Sequence, residues 1–321
     1  MLSTCSRPNE KPLHATTGAA LTLAAASRRV RLVDRDDEII LGDNLEILPR
    51  FEDGSFQMIY VDPPFNTGKQ QTRKTLETTP DEDGDRVGFQ GKRFKTRLLA
   101  ESSYLDQFDD YLSFLEPRLN HARRLLTDSG TLYFHIDYRE AHYCKLLLDE
   151  IFGRESFLNE IIWAYDYGAR SKRRWPAKHD TILVYVKDPS AYFFDSEGVD
   201  REPYMAPGLV TPEKVAKGKL PTDVWWHTIV PTNGREKTGY ATQKPEGILR
   251  RMVQASTREG DWCMDFFAGS GTLGAVAAKM GRRYVLIDSS PEAYDVMAGR
   301  LGSPQESVAP PGGDPAVAAL F

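Results

Sequence analysis

Two short strings carry the residue types that could do chemistry. Asp62-Pro63-Pro64-Phe65 follows the apolar run Gln57–Val61, and Asp265-Phe266-Phe267-Ala268-Gly269-Ser270-Gly271-Thr272 comes far later in the chain. Consecutive prolines stiffen the chain and remove two N–H donors, so acceptors dominate the surface near Asp62: its carboxylate and the Pro63 carbonyl. Such a surface suits an –NH2 group, which has two hydrogens to place. An aromatic amine is a poor nucleophile because its lone pair is delocalised into the ring. Acceptors angled out of the ring plane favour a more tetrahedral nitrogen and free that pair. Phe65 offers a face on which a swung-out base can stack.

The second string reads as strand, glycine turn and helix. Gly269 and Gly271 permit a tight turn and close ligand approach, and the helix start at Thr272 presents free N–H groups. The next strand ends at Asp288, an acid placed to accept hydrogen bonds from ribose hydroxyls. The turn therefore suits a nucleoside-containing cofactor. Gly269, Gly271 and Gly274 also satisfy the GxGxxG spacing of dinucleotide sites, so a NAD-dependent oxidoreductase remains open here. That alternative leaves the Asp-Pro-Pro-Phe string unexplained.

The elements that must position these strings alternate. Strand patterns cover the start of 38–48, then 57–61, 131–136, 160–165, 181–186, 262–266 and 283–287. Helical patterns cover 104–126, broken or kinked near Pro117, then 139–152, 245–256, 272–280 and 291–301. This predicts an α/β fold with a mostly parallel sheet covered on both faces. The expected organisation is a flexible leader over 1–30, a catalytic half over 31–188, a weakly periodic region over 189–240, a cofactor half over 241–302 and a flexible tail over 303–321. Within the catalytic half, 66–103 is expected to be a long mobile loop. It is net positive from Lys69 to Arg97, with eight Lys or Arg against five Asp or Glu.

Bulk properties narrow the classes. The chain has 321 residues, 40% hydrophobic and 27% charged, with net charge −5. These values fit a soluble globular protein and leave room for a local basic face. The three cysteines are widely spaced, without a CxxC pair. That fits a reducing cytoplasm and no metal site. No run reaches the length of a membrane span. Methylation of a pyrimidine ring carbon needs a cysteine nucleophile. Cys144 falls in a predicted helix and Cys263 at a strand start, so neither suits that role.

Several motifs in one order resemble the DNA amino-methyltransferases, in the group with permuted motif order called the β class. They are LGDNLEIL (41–48), DPPFNTG (62–68), GTLYFHID (130–137), FLNEIIWAYDYG (157–168), KHDTILVYVKD (178–188), TQKPEGIL (242–249) and DFFAGSGT (265–272). The resemblance implies a Rossmann-like, circularly permuted fold that uses S-adenosyl-L-methionine, with a target-recognition insertion over 189–240. It implies catalytic roles for Asp62, Pro63, Pro64 and Phe65. It places Asp43 and Asn44 near the cofactor adenine and Asp288 near the ribose. Lys244, Pro245 and Asp265 to Thr272 line the methionine and ribose end. Phe65 stands where Tyr is more usual, and Asp288 where many relatives have Glu.

Ala169–Lys178 contains Arg170, Lys172, Arg173, Arg174 and Lys178 with Trp175 among them, a pattern that suits phosphate contacts. Trp225, Trp226, His227, Asn233 and Arg235 are candidates for base contacts, core packing being as good a reading of the tryptophans. The expected partner is double-stranded DNA, with a homodimer and a cognate restriction endonuclease as further expectations from the resemblance. The expected reaction is methylation of the adenine N6 amine. Asp at position 62 favours adenine, because cytosine-N4 enzymes of the family more often carry Ser there. Cytosine N4 is the alternative, since both bases present an amino group.

Overall fold

Runs of branched and aromatic residues such as Phe56–Val61 are buried along their whole length, as strands covered on both faces must be. The computed structural model describes residues 32, 36–65, 69–80, 86–87, 93–106, 110–168, 170–302 and 305–307. The chain begins with β1 (Glu38–Leu41), α1 (Asn44–Ile47), β2 (Phe56–Val61), β3 (Lys69–Pro80), β4 (Arg86–Val87) and β5 (Arg93–Asp106). It continues with α2 (Tyr111–Leu125), β6 (Leu126–Asp137), α3 (Ala141–Phe152), β7 (Phe157–Ala164), β8 (His179–Val186), α4 (Pro212–Lys217) and β9 (Val224–Trp226). The last elements are α5 (Glu246–Ser256), β10 (Trp262–Asp265), α6 (Thr272–Lys279), β11 (Arg283–Asp288), α7 (Pro291–Leu301) and β12 (Gln305–Ser307).

Nine strands form one sheet in the order β12-β1-β11-β10-β2-β6-β8-β7-β9. Only β8 runs against its neighbours; every other pair is parallel. Alternation along each strand feeds two cores. Ile59 and Val61 pack with Leu115, Leu119 and Leu148 of α2 and α3. Met58 and Tyr60 face the other way, towards Leu249, Met252, Leu273 and Met297 of α5, α6 and α7. The expected α/β class with a mostly parallel, two-face-covered sheet is what the chain adopts.

Four local expectations need correction. The expected loop over 66–103 is strand over most of its described residues: β3 and β5 pair antiparallel from Lys69 opposite Asp106 to Pro80 opposite Phe94, with β4 added beside β5. Backbone groups make that ladder, so it forms without the apolar alternation used to recognise strands. Because β5 extends to Asp106, α2 starts at Tyr111 rather than 104, where the Asp110 carboxylate caps the Ser113 N–H at 3.0 Å. It then runs unbroken through Pro117. β6 begins at Leu126 rather than at 131, so Ser129-Gly130 lies inside it, where the register with β2 shifts between Phe56–Leu126 and Met58–Thr131.

The leader over 1–30 and Asn66–Gly68 lie outside the described residues. So does most of 303–321, of which Gln305–Ser307 forms β12 beside β1. Among the described residues no helix is long and apolar enough to cross a membrane.

Candidate active site

Four parallel strands release their chains at one edge of the sheet. The register sets Leu41 opposite Asp288 and Asp265 opposite Tyr60, so β1, β11, β10 and β2 end side by side. From β10 the chain turns through α6 to β11; beyond β2 it comes to lie on the other side, in β6. Open α/β sheets bind ligands in the crevice where connections diverge in this way. Asp62 to Phe65 forms one lip and Phe266 to Thr272 the other.

On the first lip, Tyr111 donates its hydroxyl to the Pro64 carbonyl at 2.5 Å, which fixes the proline turn to α2. The Lys244 ammonium donates to Oδ2 of Asp62. The other oxygen, Oδ1, is buried and has no hydrogen-bond partner among the described residues. Buried acceptors are normally paired, so an orphan of this kind marks a place for a donor. Phe65 lies beside that carboxylate, 5.9 Å from the His135 ring and with the Lys244 ammonium 4.8 Å from its own centre.

A buried polar chain supports the lip from below. Tyr60 Oη and His135 Nδ1 are 2.8 Å apart, and His135 Nε2 and Asp180 Oδ2 are 3.1 Å apart. Tyr165 donates to the other oxygen of Asp180 at 3.1 Å. Burial raises the Asp180 carboxyl, but its contacts with His135, the Lys244 charge and the Tyr165 hydrogen bond together outweigh this and hold it below the usual range. Burial, then the charges of Asp62, Asp265 and Asp180, push the Tyr60 phenol well up, so it stays protonated. No sequence motif points to this set. Its signal was a histidine in a strand whose neighbours Phe134 and Ile136 are wholly apolar.

The second lip is held by its own acids. The carboxylate of Asp288 accepts from Gly269 N at 2.8 Å and from Ser290 N at 2.9 Å. Asp265 accepts from Phe267 N at 3.0 Å. Burial pushes the carboxyl of Asp265 well up, helped by the charges of Asp62 and Asp288. Burial likewise raises Asp288, against the backbone N–H groups that favour its ionised form. Gly269 and Gly271 have φ of +51° and +68°. A Cβ on Gly269 would meet the Tyr240 ring at 3.1 Å, and one on Gly271 would meet Met297 at 2.8 Å. Ala268 N reaches the Ile287 carbonyl at 3.1 Å. Ser270 and Thr272 hydroxyls lie 3.1 Å apart, and Arg300 donates to the Ser270 carbonyl at 3.0 Å.

Other expected residues take supporting places. The Asn44 amide donates to the Phe266 carbonyl at 2.8 Å and accepts from Arg118 at 2.7 Å, so it ties α1 beneath the loop. Asp43 caps α1 through Leu45 N at 2.9 Å and stands 3.5 Å from Arg118. Arg118 also stacks on Phe114, which packs against Phe267. Pro245 is buried at the start of α5. Burial pushes the Cys144 and Cys263 thiols up to about 12, which leaves both as inert core groups.

The basic segment opens at the same edge, because β7 ends and β8 begins there, Asp180 standing opposite Asp137 at the end of β6. Arg170, Lys172, Arg173 and Arg174 are exposed, and Trp175 is 94% exposed. Lys178 differs from them, pairing with Asp166 at 2.9 Å. β9 also ends at this edge, with Trp226 beside Ala164. The two tryptophans divide: Trp225 is core, with its N–H on the Thr222 carbonyl, while Trp226 is 72% exposed. His227 packs over Gly247, a structural placement. Asn233 and Arg235 are exposed.

A family model described as DNA methylase matches residues 56–299. The type II methyltransferase M.HpaI of Haemophilus parainfluenzae is 28% identical over 84% of this chain and 75% of its own length. The DNA adenine methyltransferase YhdJ of Escherichia coli is 29% identical over 82% of each chain. Among solved structures, PvuII DNA methyltransferase (cytosine-N4-specific) superposes with TM-score 0.56 at 16% identity, covering 83% of this chain and 86% of that one. The M1.HpyAVI–SAM complex gives TM-score 0.53 at 19% identity, covering 82% and 98%. At such identities the structural likenesses speak for the fold.

Proposed function

The chain belongs to the DNA methylase family of N6 and N4 amino-methyltransferases, and from that premise we propose that it methylates the N6 amino group of adenine in double-stranded DNA, with S-adenosyl-L-methionine as donor. The observation that carries the reading is the buried, unpartnered Oδ1 of Asp62 at the mouth of the crevice beside the glycine loop. The dinucleotide alternative for that loop falls away with the family.

The residues of the second lip fit the donor. The oxygens of Asp288 accept from the Gly269 and Ser290 N–H groups, and a carboxylate has a further lone pair for a ribose hydroxyl. At Gly269 any side chain would press on Tyr240 and strain the left-handed backbone, so glycine holds the shape of the turn. In this reading Asp43 serves the adenine, Asp288 the ribose, and the backbone of Ala268–Gly271, with Pro245, the remainder. Asn44 acts from beneath, through Phe266. When bound, S-adenosyl-L-methionine supplies a methyl group already activated by its sulfonium.

The protein's own part is alignment and electrostatics. Asp62 Oδ1 accepts one N–H of the target amine, and the Pro63 carbonyl is the second acceptor. Together they turn the nitrogen lone pair out of the ring plane. Phe65 supplies the stacking face. As the nitrogen gains its new bond it must lose a proton, which Asp62 Oδ1 is free to accept.

Adenine is preferred over cytosine because position 62 carries Asp, and because YhdJ, matched over most of both chains, is an adenine methyltransferase. The test is nucleoside mass spectrometry of DNA treated with the protein and methyl-labelled donor. The expected product is N6-methyladenosine in its deoxy form. Label in N4-methylcytosine would move the assignment to cytosine, and no label in either base would refute the reading.

A further inference from the structure

Lys244 joins both lips of the crevice. Its ammonium donates to Asp62 Oδ2, and the two side chains are only 11% and 15% exposed. The same ammonium stands 4.8 Å from the centre of the Phe65 ring. Its backbone carbonyl accepts from Thr272 Oγ1 at 3.1 Å, in the first turn of α6 after the glycine loop. The resemblance implied cofactor contact for this residue. Its charged end is directed elsewhere.

The Asp62 carboxylate is close enough to Asp265 to act on it as a second negative charge, and a free carboxylate can present either oxygen. An ammonium on one oxygen answers both problems. Its charge favours the ionised forms of neighbouring Asp265 and Asp180 as well. With Oδ2 held, Oδ1 is the remaining acceptor, and it is the oxygen that lacks a partner. The ammonium contacts Asp62 and the Phe65 ring, and its charge is felt at Asp180 and Asp265.

We propose that Lys244 is a positioning residue for methyl transfer: it clamps Oδ2 of Asp62 so that Oδ1 is presented to the target amine, in register with the glycine loop. The proposal rests on the amino-methyltransferase reading. It assigns the lysine to the acceptor side of the reaction, and it differs from a donor-binding role in what the substitution should change.

The experiment compares wild type with Lys244→Ala and Lys244→Gln in three measurements: S-adenosyl-L-methionine affinity by calorimetry, kcat and KM for DNA at saturating donor, and turnover with added ethylammonium. In both variants donor affinity is expected within about threefold of wild type, with kcat lower by about 100-fold or more, the scale of losing one preorganised electrostatic contact. Ethylammonium should restore turnover of Lys244→Ala in a saturable way, and potassium at equal ionic strength should not. If the alanine variant fails to fold, the glutamine variant, which keeps most of the stem, carries the kcat comparison. Unchanged kcat in the folded variants overturns the proposal. So does a loss confined to donor affinity, or a kcat loss in Lys244→Ala that no amine restores. A wild-type protein that methylates no DNA would instead refute the underlying reading.

Discussion

Single residues at the crevice are held by constraints that leave little choice of side chain. Gly271 shows this most plainly. Its φ of +68° belongs to the left-handed region, and a Cβ there would lie 2.8 Å from Met297 and 3.3 Å from Leu286. Gly271→Ala therefore meets both backbone strain and a clash, and the expected cost is about 1–3 kcal/mol. Chemical denaturation should show the lowered midpoint, and donor affinity should fall with it because the turn must shift. At this scale the sequence was most legible where chemistry restricts residue type. Asp62, Phe65, Gly269, Gly271 and Asp288 lie at one crevice. Asn44 was legible as present but not as to its task, since an amide can serve a ligand or a backbone carbonyl equally well. Tyr111 and Arg118 were missed because each acts across a gap in sequence, on Pro64 and Asn44, and only packing brings them there.

Elements are tied together at this site by a few charged groups. Glu246 at the start of α5 accepts from Lys279 of α6 at 2.5 Å and from Arg300 of α7 at 2.8 Å. Burial raises its carboxyl, but the two cations outweigh burial and the net shift is downward. A depressed folded-state value means stability that is present above the unfolded value of about 4.3 and lost as pH falls through the lower folded one. Glu246→Gln should therefore lower the denaturation midpoint at neutral pH and flatten its decline below about pH 4.3. Because the group is partly exposed, the effect is expected to be about 1 kcal/mol or less. The strand-helix alternation was readable because α2, α3, α5 and α7 each bury one face, while α6 is apolar and buried from Thr272 to Ala277. The β3–β5 ladder was not, since its polar residues carry no alternation and its stabilising hydrogen bonds belong to the backbone.

The whole molecule gathers its functional parts on one edge. The Asp62 turn, the glycine loop, the segment between β7 and β8 and the end of β9 all emerge there, although the sequence scatters them from residue 62 to 272. That convergence follows from strand order, which no local pattern reveals. Net charge is −5 for the chain, so attraction to phosphate has to come from a local patch, and Arg170, Lys172, Arg173 and Arg174 form an exposed one at this edge. Replacing Arg173 and Arg174 by alanine should raise KM for DNA with little change in kcat. The salt dependence of binding should weaken, by about one unit in the log–log slope for each phosphate contact removed. A salt slope equal to wild type would place the DNA elsewhere.

The orientation of one amine by one carboxylate is tested most directly by Asp62→Ala, comparing donor affinity by calorimetry with single-turnover methyl transfer to DNA. The expected result is a donor affinity close to wild type with the transfer rate lower by at least about 100-fold. Methyl transfer at the wild-type rate in that variant would contradict it.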